Sequence, residues 1–423
     1  MGIGKVYLWN YLQRIVNALG ALLVVLVMSA FYEVEAAGKF YALYSLLGIV
    51  SVFEFGYAIL IVQRISKYSN CDFSIVNYDM EREISHYQTV IKFIVIFFVF
   101  TYPVLAYLVV GQIFSDAVYI ILLLTLALGL SILLSMIGNV IEALGYIEKI
   151  SKIRTIQAIF SYSALLVALF FGIGATSIFF LLLFQLGVFL ILLVKLFKSN
   201  PLGFFIFSGF FRYTNLLKFN KNIFKNDVKY SFQIYATVLA GLFSNQIWVI
   251  AVTMSGAVEY ISKVAMILQI ITAAAGFALT PIASRLAEVS SYHHSGSKEK
   301  ISALISKITR DVIIVTIISI VAVCFLYFIG DFLYPEKIVS SRSAMFFILS
   351  LPFLVATSLI GIVIQSGGKK DIVWVSVFRI AIPSLMFFYI NENATDIDIS
   401  IFYFISVTVS FFVAVIYFYK EMK

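Results

Sequence analysis

Residues 117–137 read AVYIILLLTLALGLSILLSMI, from Ala117 to Ile137, without one charged side chain. A helix rises about 1.5 Å per residue, so roughly 20 such residues cross the ~30 Å hydrocarbon core of a bilayer. The same ruler laid along the chain finds apolar runs at 12–31, 40–62, 91–110, 117–137, 156–172 and 176–194. A second set lies at 231–253, 264–283, 312–330, 344–364, 372–390 and 400–419. The 423 residues are 62% hydrophobic and 12% charged, with a mean hydropathy of +1.03. Soluble domains carry roughly 25% charged residues, so a soluble chain of this composition could not cover its own surface. The expected fold is an all-α polytopic membrane protein of about 12 transmembrane helices in two six-helix halves.

Charge placement orients those helices. Of the 30 lysines and arginines, 25 fall in alternate segments that begin with the N-terminus. The opposite segments hold Lys39, Lys263, Lys337 and Arg342, and Arg379 sits inside an apolar run. This bias is the positive-inside pattern, and it predicts that both termini are cytoplasmic. The net charge of +8 is therefore spent on topology, which argues against a nucleic-acid partner. Lys5 and Arg14 precede Ala18–Phe31 as in a signal peptide, but the run is long and is followed by eleven more, so an uncleaved first helix is expected. Cys71 in a polar segment and Cys324 in an apolar run do not make a disulfide framework.

The expected organisation is an N-terminal half (1–200), a basic cytoplasmic linker (201–229) and a C-terminal half (230–423). In the linker Lys218, Lys221, Lys225 and Lys229 share one helical face, with Leu216, Leu217, Phe219, Ile223 and Phe224 mostly opposite, the pattern of an interfacial helix on an anionic leaflet. The halves carry a repeat. Ile137-Gly138-Asn139-Val140-Ile141-Glu142, followed by Gly145 and Glu148, matches Ile360-Gly361-Ile362-Val363-Ile364-Gln365, followed by Gly368 and Asp371. Each pair has the same offset, which also aligns Asn10 with Gln233. Repeated halves that both start from the cytoplasm form a parallel repeat, and transporters place their substrate path between such repeats.

Polar residues inside apolar runs mark either helix packing or a lined cavity. The first helix presents Asn10, Arg14, Asn17 and Ala21 at helical spacing. The seventh presents Gln233, Thr237, Gly241 and Ser244, with Asn245 beside them, and the eighth Gln269, Thr272, Gly276 and Thr280 ahead of a kink at Pro281. Glu54 within Phe53-Glu54-Phe55 and Arg379 lie deep in their runs, where an unpaired charge costs at least about 2.5–3.5 kcal/mol; both are expected to face the bundle interior. Arg14, Arg64 and Arg285 lie near cytoplasmic ends. There a guanidinium either snorkels to the headgroups or joins an entry ring for an anionic headgroup.

Enzyme chemistry has little to work with. His86, His293 and His294 are placed in loops without metal-ligand spacing, and no Gly-rich phosphate loop precedes a helix. No metal and no cofactor is expected.

Residues 38–67 carry a resemblance. Gly38-Lys39-Phe40-Tyr41-Ala42-Leu43-Tyr44-Ser45-Leu46-Leu47, continuing through Val52-Phe53-Glu54-Phe55-Gly56 to Val62-Gln63-Arg64, looks like the second helix of the Wzx-type O-antigen and polysaccharide flippases. These belong to the multidrug/oligosaccharidyl-lipid/polysaccharide exporter superfamily. The 6+6 layout and the glycine-bearing segment 137–148 are similar to that family too.

The resemblance implies a flippase of the bacterial cytoplasmic membrane. Its partners would be an undecaprenyl-pyrophosphate-linked glycan, membrane lipids and polysaccharide assembly enzymes. It implies a cavity between the halves, with substrate-binding candidates Arg14, Asn17, Arg64, Gln233, Asn245, Gln269, Arg285 and Arg379, and Glu54 as the ion-coupling candidate. The alternatives are an ion-coupled multidrug or small-solute exporter of the same superfamily and a membrane-embedded glycan polymerase or acyltransferase. A major-facilitator transporter fits less well, because Arg64-Ile65-Ser66-Lys67 lacks the glycine-rich loop of that class.

Overall fold

The computed structural model describes residues 3–65, 78–111, 113–198, 247–254, 258–285, 298–366 and 395–422, with single positions at 224, 225, 227, 228, 231, 235, 377, 381, 382 and 385. Among the described residues every regular element is helical. In hydrocarbon a backbone must satisfy its own hydrogen bonds, and a helix does so within one segment. The elements are α1 (Ile3–Phe31), α2 (Val34–Phe53), α3 (Tyr57–Ile65), α4 (Tyr78–Val110), α5 (Ala117–Ile141), α6 (Ile147–Phe170) and α7 (Ile178–Lys198). They continue as α8 (Val258–Ala278), α9 (Thr280–Ser284), α10 (Lys298–Leu333), α11 (Ser341–Ser366) and α12 (Asp396–Met422). Residues 247–254 are also helical. Eight stretches among them are long and apolar enough to cross a membrane. The runs expected at 231–253 and 372–390 lie largely outside the described residues, as does most of the linker.

Three details depart from a plain reading of hydropathy. The run expected as one helix over 40–62 is broken between α2 and α3, where Phe55 (φ 49°) and Gly56 (φ 73°) enter the left-handed region. The segment expected as a loop between the fourth and fifth runs is helical almost throughout. A π-turn over Glu142–Tyr146, with Gly145 at φ 96°, joins α5 to α6. His86, expected in a loop, lies buried in α4, because the amphipathic stretch ahead of the fourth helix's apolar run continues the same helix. The expected kink at Pro281 does occur, separating α8 from α9. Gly172 and Gly174, both at positive φ, make the turn between α6 and α7.

The chain forms two compact units that interleave along the sequence. The first takes residues 1–13, 46–165 and 176–238, and the second 14–45, 166–175 and 239–423. In the first unit α4 packs along α5, and α5 also meets α3 and α7. Phe53 sits edge-on to Phe98 (5.0 Å between centroids), which stacks on Tyr102 at 4.6 Å. In the second unit α11 and α12 form the longest pairing, and α8 packs on both α10 and α11. Trp248, Phe347 and Tyr403 form its aromatic centre, with Tyr403 at 5.8 Å from Trp248 and 5.1 Å from Phe347. Large apolar side chains such as Phe100, Leu126, Leu183 and Phe328 point outward instead, as helices solvated by lipid require.

Hydroxyls within the helices are largely turned back on their own backbone. Thr125 donates to Ile121 O (2.7 Å), Thr272 to Leu268 O (2.7 Å), Thr316 to Val312 O (2.7 Å) and Thr357 to Phe353 O (2.6 Å). This back-bonding satisfies the hydroxyl without a ligand.

At one end of the second unit, Lys337 closes the C-terminus of α1. Its Nζ donates to the carbonyls of Ser29 (2.9 Å) and Tyr32. Tyr32 in turn donates to Leu169 O (2.6 Å) and accepts from Gly174 N (3.2 Å). The last carbonyls of a helix lack intrahelical donors and carry partial negative charge, so a lysine is a fitting cap.

Candidate functional site

The polar residues of the repeated segment Ile137-Gly138-Asn139-Val140-Ile141-Glu142 converge on one guanidinium in the first unit. Asn139 and Glu142, three apart near the end of α5, face the same way. Arg154 reaches them from α6, donating to Glu142 Oε2 at 2.7 Å and to Asn139 Oδ1 at 2.6 Å. The π-turn and Gly145 redirect the chain so that α6 can present Arg154 to the preceding helix. Gly138 leaves room for the Phe189 ring, since a Cβ there would lie 3.1 Å from Phe189 Cζ, while it would stay in ordinary contact, 3.6 Å, with Arg154 Nη2. Arg154 also attracts the carboxylate of Glu54, which sits at the break between α2 and α3. Arg154 and Glu142 are each about a quarter exposed, so the pair is neither freely solvated nor sealed. The result is one cation answering two carboxylates beside a helix break.

A second charged cluster ties α3 and α4 to Asp227, a residue of the stretch expected as a linker. Asp227, almost fully buried, meets Arg64 at 3.3 Å and accepts from the Tyr87 hydroxyl at 3.0 Å. Burial pushes the Asp227 carboxyl above its ordinary range, and the Tyr87 hydrogen bond and the Arg64 charge offset only part of that. A third pair lies in the second unit, where Arg285 meets Asp311 of α10 at 3.2 Å.

Set against the sequence expectations, the candidates separate. Glu54 and Arg64 belong to the first unit. Arg14, Asn17, Gln269 and Arg285 belong to the second. Asn17 is exposed, and Arg14 and Gln269 are partly buried. Arg64 and Arg285 each already hold a carboxylate. Gln233, Asn245 and Arg379 lie outside the described residues. Arg154 was not among the candidates, because charge counting assigns it to a loop as one more topology-setting cation. The signal that could have found it is the repeated motif itself, whose two polar members are the ones that bind it. Among the described residues no group of His, Cys, Asp and Glu is placed to hold a metal ion.

No known protein family and no curated protein matches the sequence. Solved structures do match in fold. The inward closed form of the lipid II flippase MurJ superposes with a TM-score of 0.62 at 14% identity, over 97% of this chain and 86% of that one. An outward-facing multidrug-resistance transporter of the MATE family superposes with a TM-score of 0.60 at 11% identity, over 99% and 94%. A transporter of the MOP superfamily from Pyrococcus furiosus, reported with a binding pocket of reverse polarity, gives 0.55 at 12% identity, over 99% and 95%. From end to end, the chain has the fold of the MOP-superfamily transporters.

Proposed function

We propose that this protein is a flippase that carries an undecaprenyl-pyrophosphate-linked oligosaccharide across the bacterial cytoplasmic membrane by alternating access. The observation that carries the reading is the fold shared with a lipid II flippase over nearly the whole chain. The sequence of 38–67, with its likeness to polysaccharide flippases, points the same way. The reading includes twelve spans, cytoplasmic termini and a substrate path between the sequence halves.

In this reading the pyrophosphate docks on arginines, with Arg14, Arg64, Arg285 and Arg379 as the proposed contacts and Asn17, Gln233, Asn245 and Gln269 facing the sugars. Guanidinium suits phosphate because its donors form a planar fork. Arg64 and Arg285 would have to exchange their carboxylate partners for substrate, which makes Asp227 and Asp311 part of the docking step. Glu54 is the proposed coupling group. Protonating it removes one of the two carboxylates answering Arg154, and the helix break beside it is where a change of shape costs least.

A second reading, an ion-coupled exporter of small solutes, is favoured by the equally good superposition on multidrug transporters. One experiment separates them: the lipid-linked glycan pool and the surface polysaccharide in a deletion strain, with and without the gene restored. Accumulated short lipid-linked units with lost surface glycan, reversed by the gene, support the flippase. Unchanged pools in a strain without a redundant transporter make the exporter the better reading.

A further inference from the structure

One end of the second unit gathers turns that lie far apart in the sequence. Tyr32, between α1 and α2, is their hub. Its carbonyl and that of Ser29 accept from Lys337 Nζ, while its hydroxyl bonds Leu169 O and Gly174 N around the turn between α6 and α7. Phe31 beside it meets Phe170 edge-on at 5.3 Å. Lys337 itself stands on a short 3₁₀ turn, Pro335–Lys337, that is bonded back to α10. Tyr334 N donates to Gly330 O (2.7 Å), Lys337 N to Tyr334 O (3.0 Å), and the Tyr327 hydroxyl to Val339 O (3.3 Å). The lysine therefore belongs mechanically to α10, and the carbonyls it caps belong to α1.

The seam behind this tie is soft. Leu22 and Leu26 of α1 line one cleft with Ile267 and Ile270 of α8 and Leu326 of α10. Lipid tails are as apolar as leucine, so these faces gain little from the hydrophobic effect by meeting each other, and packing and hydrogen bonds must hold them. Ser29 Oγ reaches Met266 Sδ at 3.4 Å, but a thioether is a weak acceptor. An ammonium on two carbonyls at a helix C-terminus is a much stronger bond. Capping α1 and clamping it to α10 are thus one act.

We propose that Lys337 is a releasable latch. While it caps α1, that helix stays seated against α8 and α10. When it lets go, the end of α1 swings away from α10 and takes the α1–α2 and α6–α7 turns with it. This rests on the alternating-access part of the reading above, in which the two proposed sequence halves part at one face of the membrane, and not on which substrate is carried. With cytoplasmic termini, as proposed above, the latch lies at the extracytoplasmic face, so its release belongs to the outward-opening step.

The test is thiol labelling of the full-length protein in lipid nanodiscs, in a Cys71→Ser, Cys324→Ala background with one new cysteine, Ser29→Cys. Ser29 is only 5% exposed, and the substitution keeps the carbonyl that Lys337 caps. A bulky charged maleimide reaches both faces of a nanodisc, so no orientation is assumed. Labelling should be slow with Lys337 intact and about tenfold faster with Lys337→Met, the equivalent of about 1.4 kcal/mol. Lys337→Gln, which keeps a donor without the charge, should give about threefold, and Lys337→Arg should stay near the parent rate. Ser400→Cys of α12, fully buried in the same unit, should be labelled no faster in any of these variants. Equal acceleration there would mean general loosening and would overturn the latch. So would a Ser29→Cys rate that neither Lys337→Met nor Lys337→Gln raises, or that Lys337→Arg raises as much as Lys337→Met. Labelling needs no substrate, so its failure is separate from a failure of the lipid-linked pool experiment.

Discussion

Arg154 is the residue on which the first unit's polar chemistry turns. Removing it leaves Glu142 and Asn139 half-sheltered without their donor, and a deserted charged partner costs about 1–3 kcal/mol. Arg154→Gln should therefore lower thermal stability in detergent by about that amount, with Glu142→Gln restoring part of it. A double-mutant cycle on the pair should give a coupling of at least about 0.5 kcal/mol, and a value near zero would show that the 2.7 Å contact carries no energy. Asp227 supplies a pH dependence with a definite sign. Its folded carboxyl binds protons more tightly than its ordinary value of 3.8, so the native state holds the proton where the unfolded chain has released it. Stability from this group is complete below that value and is lost as pH rises through the folded pKa. Relative to Asp227→Asn, the parent protein should thus lose melting temperature as the pH is raised from 4 towards neutrality. A gap that widens in the opposite direction would mean that Arg64 and Tyr87 outweigh burial.

At the scale of elements, the long apolar helices among the described residues were legible from composition alone, because a bilayer demands about twenty apolar residues and few other settings supply them. What hydropathy averages away is where a helix changes register. Phe53-Glu54-Phe55-Gly56 reads as a helix with one costly charge, and only Gly56 hints at a break. The π-turn at Glu142–Tyr146 hides behind a sequence whose lysines look like an ordinary cytoplasmic loop. The candidate site was half legible for the same reason: Glu54 stood out by its cost in lipid, whereas Arg154 was disguised among topology-setting cations. Two backbone predictions follow from the geometry. Gly56→Ala, at φ 73°, forces a side chain into the left-handed region and should cost about 1–2 kcal/mol. Lys337→Met removes the cap on α1, two charge-assisted hydrogen bonds at a helix C-terminus, and should lower the melting temperature clearly more than Lys337→Arg does.

At the scale of the whole molecule, the two compact units do not coincide with the two sequence repeats. The second unit draws in the outer two-thirds of α1, the start of α2 and the turn between α6 and α7, so residues from both ends of the chain share one packed body. On the flippase reading proposed above, function is measured as transport, and the expectations for single sites meet there. With expression matched, Arg14→Ala and Arg379→Ala should each reduce surface glycan display. Normal display in both would remove arginine docking from the mechanism while leaving the flippase reading to be decided by the lipid-linked pools. Glu54→Gln should leave the protein folded and membrane-inserted yet slow its transport, and the loss should be insensitive to an imposed proton gradient that stimulates the parent.

The cap that Lys337 places on α1 also has a bearing on how the protein is made. Ser29 and Lys337 are 308 residues apart, and a ribosome adds roughly 5–20 residues each second. The end of α1 is therefore in the membrane for something like 15–60 s before its lysine exists. During that interval its terminal carbonyls must lean on water, headgroups or the insertion machinery, and a helix made early is secured late.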